Sequence, residues 1–117
     1  MKRSTGAIKQ KKYDQAVQFL DVVIKLSPDY AEGWNQRAFA LYKQDNLSEA
    51  AGNLRRALAL DANHFRALEG LGTILREVGD EAGAYKVFKR LLEVDPQSDD
   101  AQKAAQDLQR KVEGRGI

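Results

Sequence analysis

The 117 residues contain no cysteine, so disulfides, thiolate nucleophiles and Cys-based zinc sites are all excluded. Histidine is almost as scarce. His64 is the only one. It falls in an expected turn, where it reads as a solvated surface imidazole rather than a catalytic base, and no Ser-His-Asp arrangement or His-based metal site can be built around it. No stretch approaches the ~20 apolar residues of a membrane span. No apolar run follows the charged N-terminus, so no signal peptide is read. The expected location is cytoplasmic, or periplasmic if an upstream signal has been removed. Gly70-Leu-Gly72 lacks both a preceding strand and the further glycine of a phosphate cradle. Asp95, Asp99 and Asp100 cluster before the last helical stretch, where capping accounts for them, and a calcium site needs more oxygen ligands on a defined loop. No catalytic, cofactor or metal site is expected, and the chain reads as non-enzymatic.

A strong charge of either sign is also missing: the formal net charge is only +2. Lys2, Arg3, Lys9, Lys11 and Lys12 nevertheless precede the first acid, Asp14, and the remainder is slightly acidic. Such a basic start suits a solvated helix face better than an acidic partner. With 43% hydrophobic and 31% charged residues, the composition is that of an ordered domain rather than a disordered chain.

What the chain does have is a period. From the stretch Ala31–Ala62, a step of 34 residues carries Trp34 to Leu68, Ala38 to Gly72 and Leu41 to Leu75. The same step carries Ala50 to Ala84, Leu54 to Phe88, Leu58 to Leu92 and Leu60 to Val94, and the reverse step reaches Ala16, Leu20, Ile24 and Leu26. Apolar positions matched in size at a fixed period mark a stacked-repeat protein.

Helical periodicity fills each repeat. Tyr13, Ala16, Val17, Leu20, Val23 and Ile24 recur at three- and four-residue steps and predict a helix over 13–26, with Phe19 a marginal member of the stripe. It ends at Ser27-Pro28, because proline disfavours helix in the residue before it. Asp29 is placed to cap the next helix, over 31–43, and Ser48 to cap a third that runs to about Leu60. Further helices are expected from His64 or Phe65 to Val78, from Glu81 to Val94, and from Ser98 to about Glu113. Residues 1–12 fit either a frayed tail or the last two turns of a helix cut short by the start of the chain, and the repeat register favours the second. Gly72 costs a helix up to ~1 kcal/mol relative to Ala, so a close helix approach is expected there.

The pattern resembles the tetratricopeptide repeat. The second unit carries Trp34, Ala38, Leu41, Ala50, Leu54 and Ala57, with Ala62 where the family has proline. The third carries Leu68, Leu71, Gly72, Leu75, Ala84, Phe88 and Pro96, with Leu91 where the family has alanine. Ala7, Tyr13, Ala16, Leu20 and Pro28 fit a first unit whose first helix is truncated. The resemblance implies an all-α, right-handed superhelical solenoid of stacked antiparallel helix pairs. It divides one domain, 1–113, into a partial repeat (1–28), two repeats (31–62 and 65–96) and a capping helix (98–113), with a disordered tail at 114–117. It implies a protein-interaction scaffold that takes a peptide or partner protein in a groove lined by the first helix of each unit.

Transferred by position, that groove holds Glu32, Asn35, Gln36, Phe39, Tyr42 and Lys43 from the second unit. The third unit supplies Arg66, Glu69, Gly70, Thr73, Arg76 and Glu77, and the first supplies Lys2, Thr5, Ile8 and Lys9. Phe39 and Tyr42 stand out, because Trp34, Ala38 and Leu41 already supply the packing stripe. The family's carboxylate clamp for chaperone tails matches Met1, Thr5, Gln36, Arg66 and Gly70 here, and only Arg66 fits, which disfavours such tails. Two other functions compete. A homodimer would shield the poorly covered inner face of helix 13–26. Nucleic-acid binding by the basic N-terminus is the weaker reading, since Glu32, Glu69 and Glu77 interrupt the bases.

Overall fold

A computed structural model describes residues 2–114, with side chains from Lys9 onward. The described residues form six helices and no strand. They fall into two compact units, 1–62 and 63–117. The first unit holds α1 (Lys2–Leu26), α2 (Ala31–Lys43) and α3 (Leu47–Leu60), and the second holds α4 (Phe65–Glu77), α5 (Glu81–Val94) and α6 (Asp99–Gly114). In each unit the middle helix packs against both of its neighbours. Gly114, expected in the tail, closes α6.

α1 departs from expectation. One helix of 25 residues replaces a short helical remnant followed by a second helix from Tyr13. The repeat register explains why. Asp45 and Gly79, one period apart, end α2 and α4 with left-handed backbones at φ 62° and φ 88°. The equivalent residue one period earlier is Lys11. A lysine pays ~1–2 kcal/mol to enter that region, and its neighbours Lys9, Gln10 and Lys12 all favour helix. Nothing local breaks α1, so the turn is lost. The expectations for Lys2, Thr5 and Ile8 concern side chains outside the described residues.

Small residues bring the helices together. Ala38 and Ala40 of α2 and Ala50, Leu54 and Ala57 of α3 are all buried in the first core, where α2 packs on both α1 and α3. The second core joins Leu68, Leu71 and Leu75 of α4 to Ala84, Phe88 and Leu91 of α5, and α6 adds Ala105, Leu108 and Val112. Gly72 lies against Phe88: a Cβ added there would meet the ring at 2.8 Å. Phe88 is buried and cannot swing aside freely. Gly72→Ala is therefore expected to lower stability by about 1–3 kcal/mol through overpacking, despite alanine's better helix propensity. A urea midpoint unchanged from wild type would show that the ring yields.

The first unit holds a polar feature that the second lacks. Arg37 of α2 donates from Nε to Asp21 Oδ1 on α1 at 2.7 Å, and from a terminal guanidinium nitrogen to Asn53 Oδ1 on α3 at 3.0 Å. Asn53, buried, donates in turn to the Glu49 carbonyl at 2.8 Å. One period on, the same two positions are Leu71 and Val87. Both solutions are physically sound, because a buried polar group costs little once its hydrogen bonds are made.

The helix starts also need correction. Tyr30 rather than Asp29 holds the N-cap position of α2, and α3 begins at Leu47 behind Asn46, which leaves Ser48 inside the helix. Neither Tyr30 nor Asn46 makes a side-chain cap bond. In the second unit the caps are made. His64 Nδ1 accepts from the Ala67 N–H at 3.1 Å, Asp80 Oδ1 from the Gly83 N–H at 3.0 Å, and Ser98 Oγ from the Ala101 N–H at 3.2 Å. His64 is half-buried and caps a helix instead of standing in solvent.

Candidate functional site

On α2, the buried side is taken by Gly33, Ala38, Ala40 and Leu41. Successive residues step by about 100° around a helix. Phe39 is thereby turned away from the core onto the side shared with Asn35, Gln36, Tyr42 and Lys43. It is 60% exposed. The Lys43 ammonium lies 5.4 Å from the centre of its ring. Asn35 is half-buried and donates from Nδ2 to Glu32 Oε1 at 3.1 Å, while Gln36 and Lys43 are exposed and Tyr42 is half-buried. This face offers a solvent-exposed aromatic ring beside amide and ammonium donors.

On α4, Arg66 and Glu69 are exposed, and Thr73 and Arg76 are half-buried. Thr73 Oγ1 donates to the Glu69 carbonyl at 2.9 Å, which ties its hydroxyl to the helix. Arg76 reaches Asp107 on α6 at 3.5 Å. Between α4 and α6 runs a cleft of roughly 290 Å³. Glu69, Thr73 and Arg76 form one wall and Asp100, Ala101 and Ala104 the other, with Phe88 and Leu91 of α5 beneath. Three of the six α4 groove positions, Glu69, Thr73 and Arg76, thus line one cleft, and Gly70 and Glu77 do not. Arg66 is not part of its lining.

Sequence reasoning assigned α6 a capping role and missed its wall of the cleft. A signal was present: Asp100, Ala104 and Asp107 recur at helical spacing, with two small residues, Ala101 and Ala104, that leave open space. Among the described residues no group of three His, Cys, Asp or Glu side chains is placed to hold a metal ion, and no helix is long and apolar enough to cross a membrane.

Repeated helix pairs with small residues at their crossings define a class of helical-repeat protein. The family-model comparison gives that class its name. A tetratricopeptide repeat model matches residues 35–99 and a second matches 2–30. The chain belongs to the tetratricopeptide-repeat family. The second match spans the segment that α1 occupies as a single helix. A TPR repeat-containing protein of Rhizobium etli is 33% identical over 114 residues, which cover 97% of this chain and 56% of that protein. The chain therefore spans little more than half of that relative.

Among solved structures, the TPR domain of Arabidopsis OM64 has a TM-score of 0.79 at 26% identity, over 91% of this chain and 88% of that one. The first TPR of Spaghetti (RPAP3), bound to the HSP90 peptide SRMEEVD, has a TM-score of 0.82 at 22% identity, over 93% and 88% respectively. The fold is the all-α tetratricopeptide-repeat solenoid.

Proposed function

We propose that this chain is a non-enzymatic protein-interaction module whose ligand surfaces are the Phe39 face of α2 and the α4–α6 cleft. The observation that carries this reading is Phe39: a phenyl ring 60% exposed on a helix whose packing side is already filled. Buried aromatic anchors ringed by polar groups dominate binding energy at interfaces, and Asn35, Gln36 and Lys43 supply such a fringe here. Arg66 adds an exposed guanidinium on α4. The Spaghetti domain supports the class of function, since it is bound to a peptide. The acidic chaperone tail of that complex is not the ligand we assign, because only Arg66 of the five clamp positions carries the required residue.

The test is affinity capture with the whole chain against Phe39→Ala/Arg66→Ala. Both positions are exposed, so circular dichroism should be unchanged while capture of a partner bound by wild type falls tenfold or more. Equal capture by the double variant would remove the Phe39 face of α2 and the Arg66 guanidinium from consideration.

A second reading, self-association, rests on a separate observation. Phe19, Val22 and Leu26 share one side of α1 and are 68%, 53% and 78% exposed. Two copies related by a twofold axis would cover this stripe with the same stripe. Sedimentation should then show a dimer at high concentration and a monomer for Phe19→Asp/Val22→Asp. A wild-type chain that stays monomeric throughout would eliminate the dimer.

A further inference from the structure

We infer that the α4–α6 cleft selects a basic side chain, lysine or arginine, of the bound polypeptide. The inference rests on the proposal that α4 is a ligand surface and adds the chemistry of what it holds. Three charged groups line the cleft: Glu69, Arg76 and Asp100. Arg76 is already engaged, 3.5 Å from Asp107. Glu69 and Asp100 stand on opposite walls, both exposed, and neither makes an ion pair among the described residues. Arg66 and Lys103, on the same two helices, are exposed and form no part of the lining. The lining therefore carries two carboxylates without an ion pair against one guanidinium that already has one.

The walls and floor fit the same guest. The edges of Phe88 and Ala104 give the cleft a narrow apolar floor, with Leu91 and Ala101 buried behind them. Lysine and arginine carry an apolar stem beneath a charged head and use both parts when they bind. At roughly 290 Å³ the cleft lies at the bottom of the range for drug-sized ligands, which suits one side chain rather than a cofactor. A carboxylate guest would meet Glu69 and Asp100 as like charges. This preference is opposite in sign to a clamp for acidic tails.

The test uses the ¹⁵N-labelled chain, followed by amide chemical shifts, with N-acetyl-lysine-N-methylamide as probe and its glutamate counterpart as control. The lysine probe should saturably shift the amides of Thr73, Ala101 and Ala104 and bind about tenfold tighter than the glutamate probe. Glu69→Gln/Asp100→Asn should weaken the lysine probe about tenfold. Salt at about 1 M, where the screening length falls to about 3 Å, should do the same. Equal or stronger shifts from the glutamate probe would overturn the inference while leaving the cleft as a ligand surface. Shifts confined to exposed carboxylates elsewhere, or none from either probe, would overturn it and remove the cleft, leaving the Phe39 face to be judged by capture alone.

Discussion

Replacing Trp34 with alanine is expected to destabilise the protein by about 3–5 kcal/mol, with the lower end favoured because the ring is only half-buried. Three segments of the first unit meet at this side chain. The indole Nε1 donates to the Pro28 carbonyl at 2.8 Å, which fixes the turn between α1 and α2. The Arg56 guanidinium of α3 lies 5.6 Å from the centre of the ring. The ring itself fills space that alanine would leave empty. Trp34→Phe separates these contributions: it keeps most of the packing but loses the hydrogen bond, for a net loss of about 1 kcal/mol. Urea unfolding followed by circular dichroism measures both variants. Tryptophan fluorescence cannot serve, since Trp34 is the only tryptophan. A Trp34→Ala midpoint equal to wild type would contradict the packing role given to the ring.

Trp34 also shows which parts of the fold were legible in sequence. The 34-residue period placed it opposite Leu68, and the structure puts both on the first turn of their helices, α2 and α4. Helix ends were readable wherever a residue with a strong backbone preference stands there. Gly79 takes a left-handed conformation after α4, and Pro28 and Pro96 follow the ends of α1 and α5. The same rule accounts for the error in α1. Its stripe was found, but the absence of a turn residue at Lys11 was outweighed by the expectation of a period, and the helix runs through. Phe19, a marginal member of that stripe, is exposed. The caps at Asp29 and Ser48 failed by one or two residues, because turn hydrogen bonds such as Tyr30 N–H to the Ser27 carbonyl at 3.1 Å decide where the helix begins.

Other features were beyond sequence because their partners are distant along the chain. Arg37 reads as a surface charge interrupting an apolar stripe. Asp21 and Asn53 each stand 16 residues away, and no local pattern pairs them. The candidate site divides in the same way. Residues on one helix, such as Glu69, Thr73 and Arg76, follow from the groove positions that the family resemblance implies. The opposite wall at Asp100, Ala101 and Ala104 appears only when α6 is seen across from α4.

Leu91 gives the sharpest conflict between family pattern and packing, and its replacement is expected to cost nearly as much as that of Trp34. The family usually has alanine at this position, so Leu91→Ala would look like a return to the common sequence, a change that often stabilises. The structure argues the reverse. Leu91 is 1% exposed and, with Leu108, is among the largest fully buried side chains. Ala101 and Ala104 of α6, which also line the cleft, are already small, and their single methyl groups are fixed to the backbone and cannot swing into a vacancy. Deleting a buried leucine where neighbours cannot collapse removes both its transfer free energy and its contacts, about 2–5 kcal/mol in all. Leu91→Ala should therefore lower the urea midpoint, and it should deepen the cleft above it. Leu91→Met, which nearly conserves volume, should cost less than about 1.5 kcal/mol. If Leu91→Ala proved as stable as wild type, α5 and α6 would have to close over the gap, and the amide shifts of Ala101 and Ala104 would move with that closure.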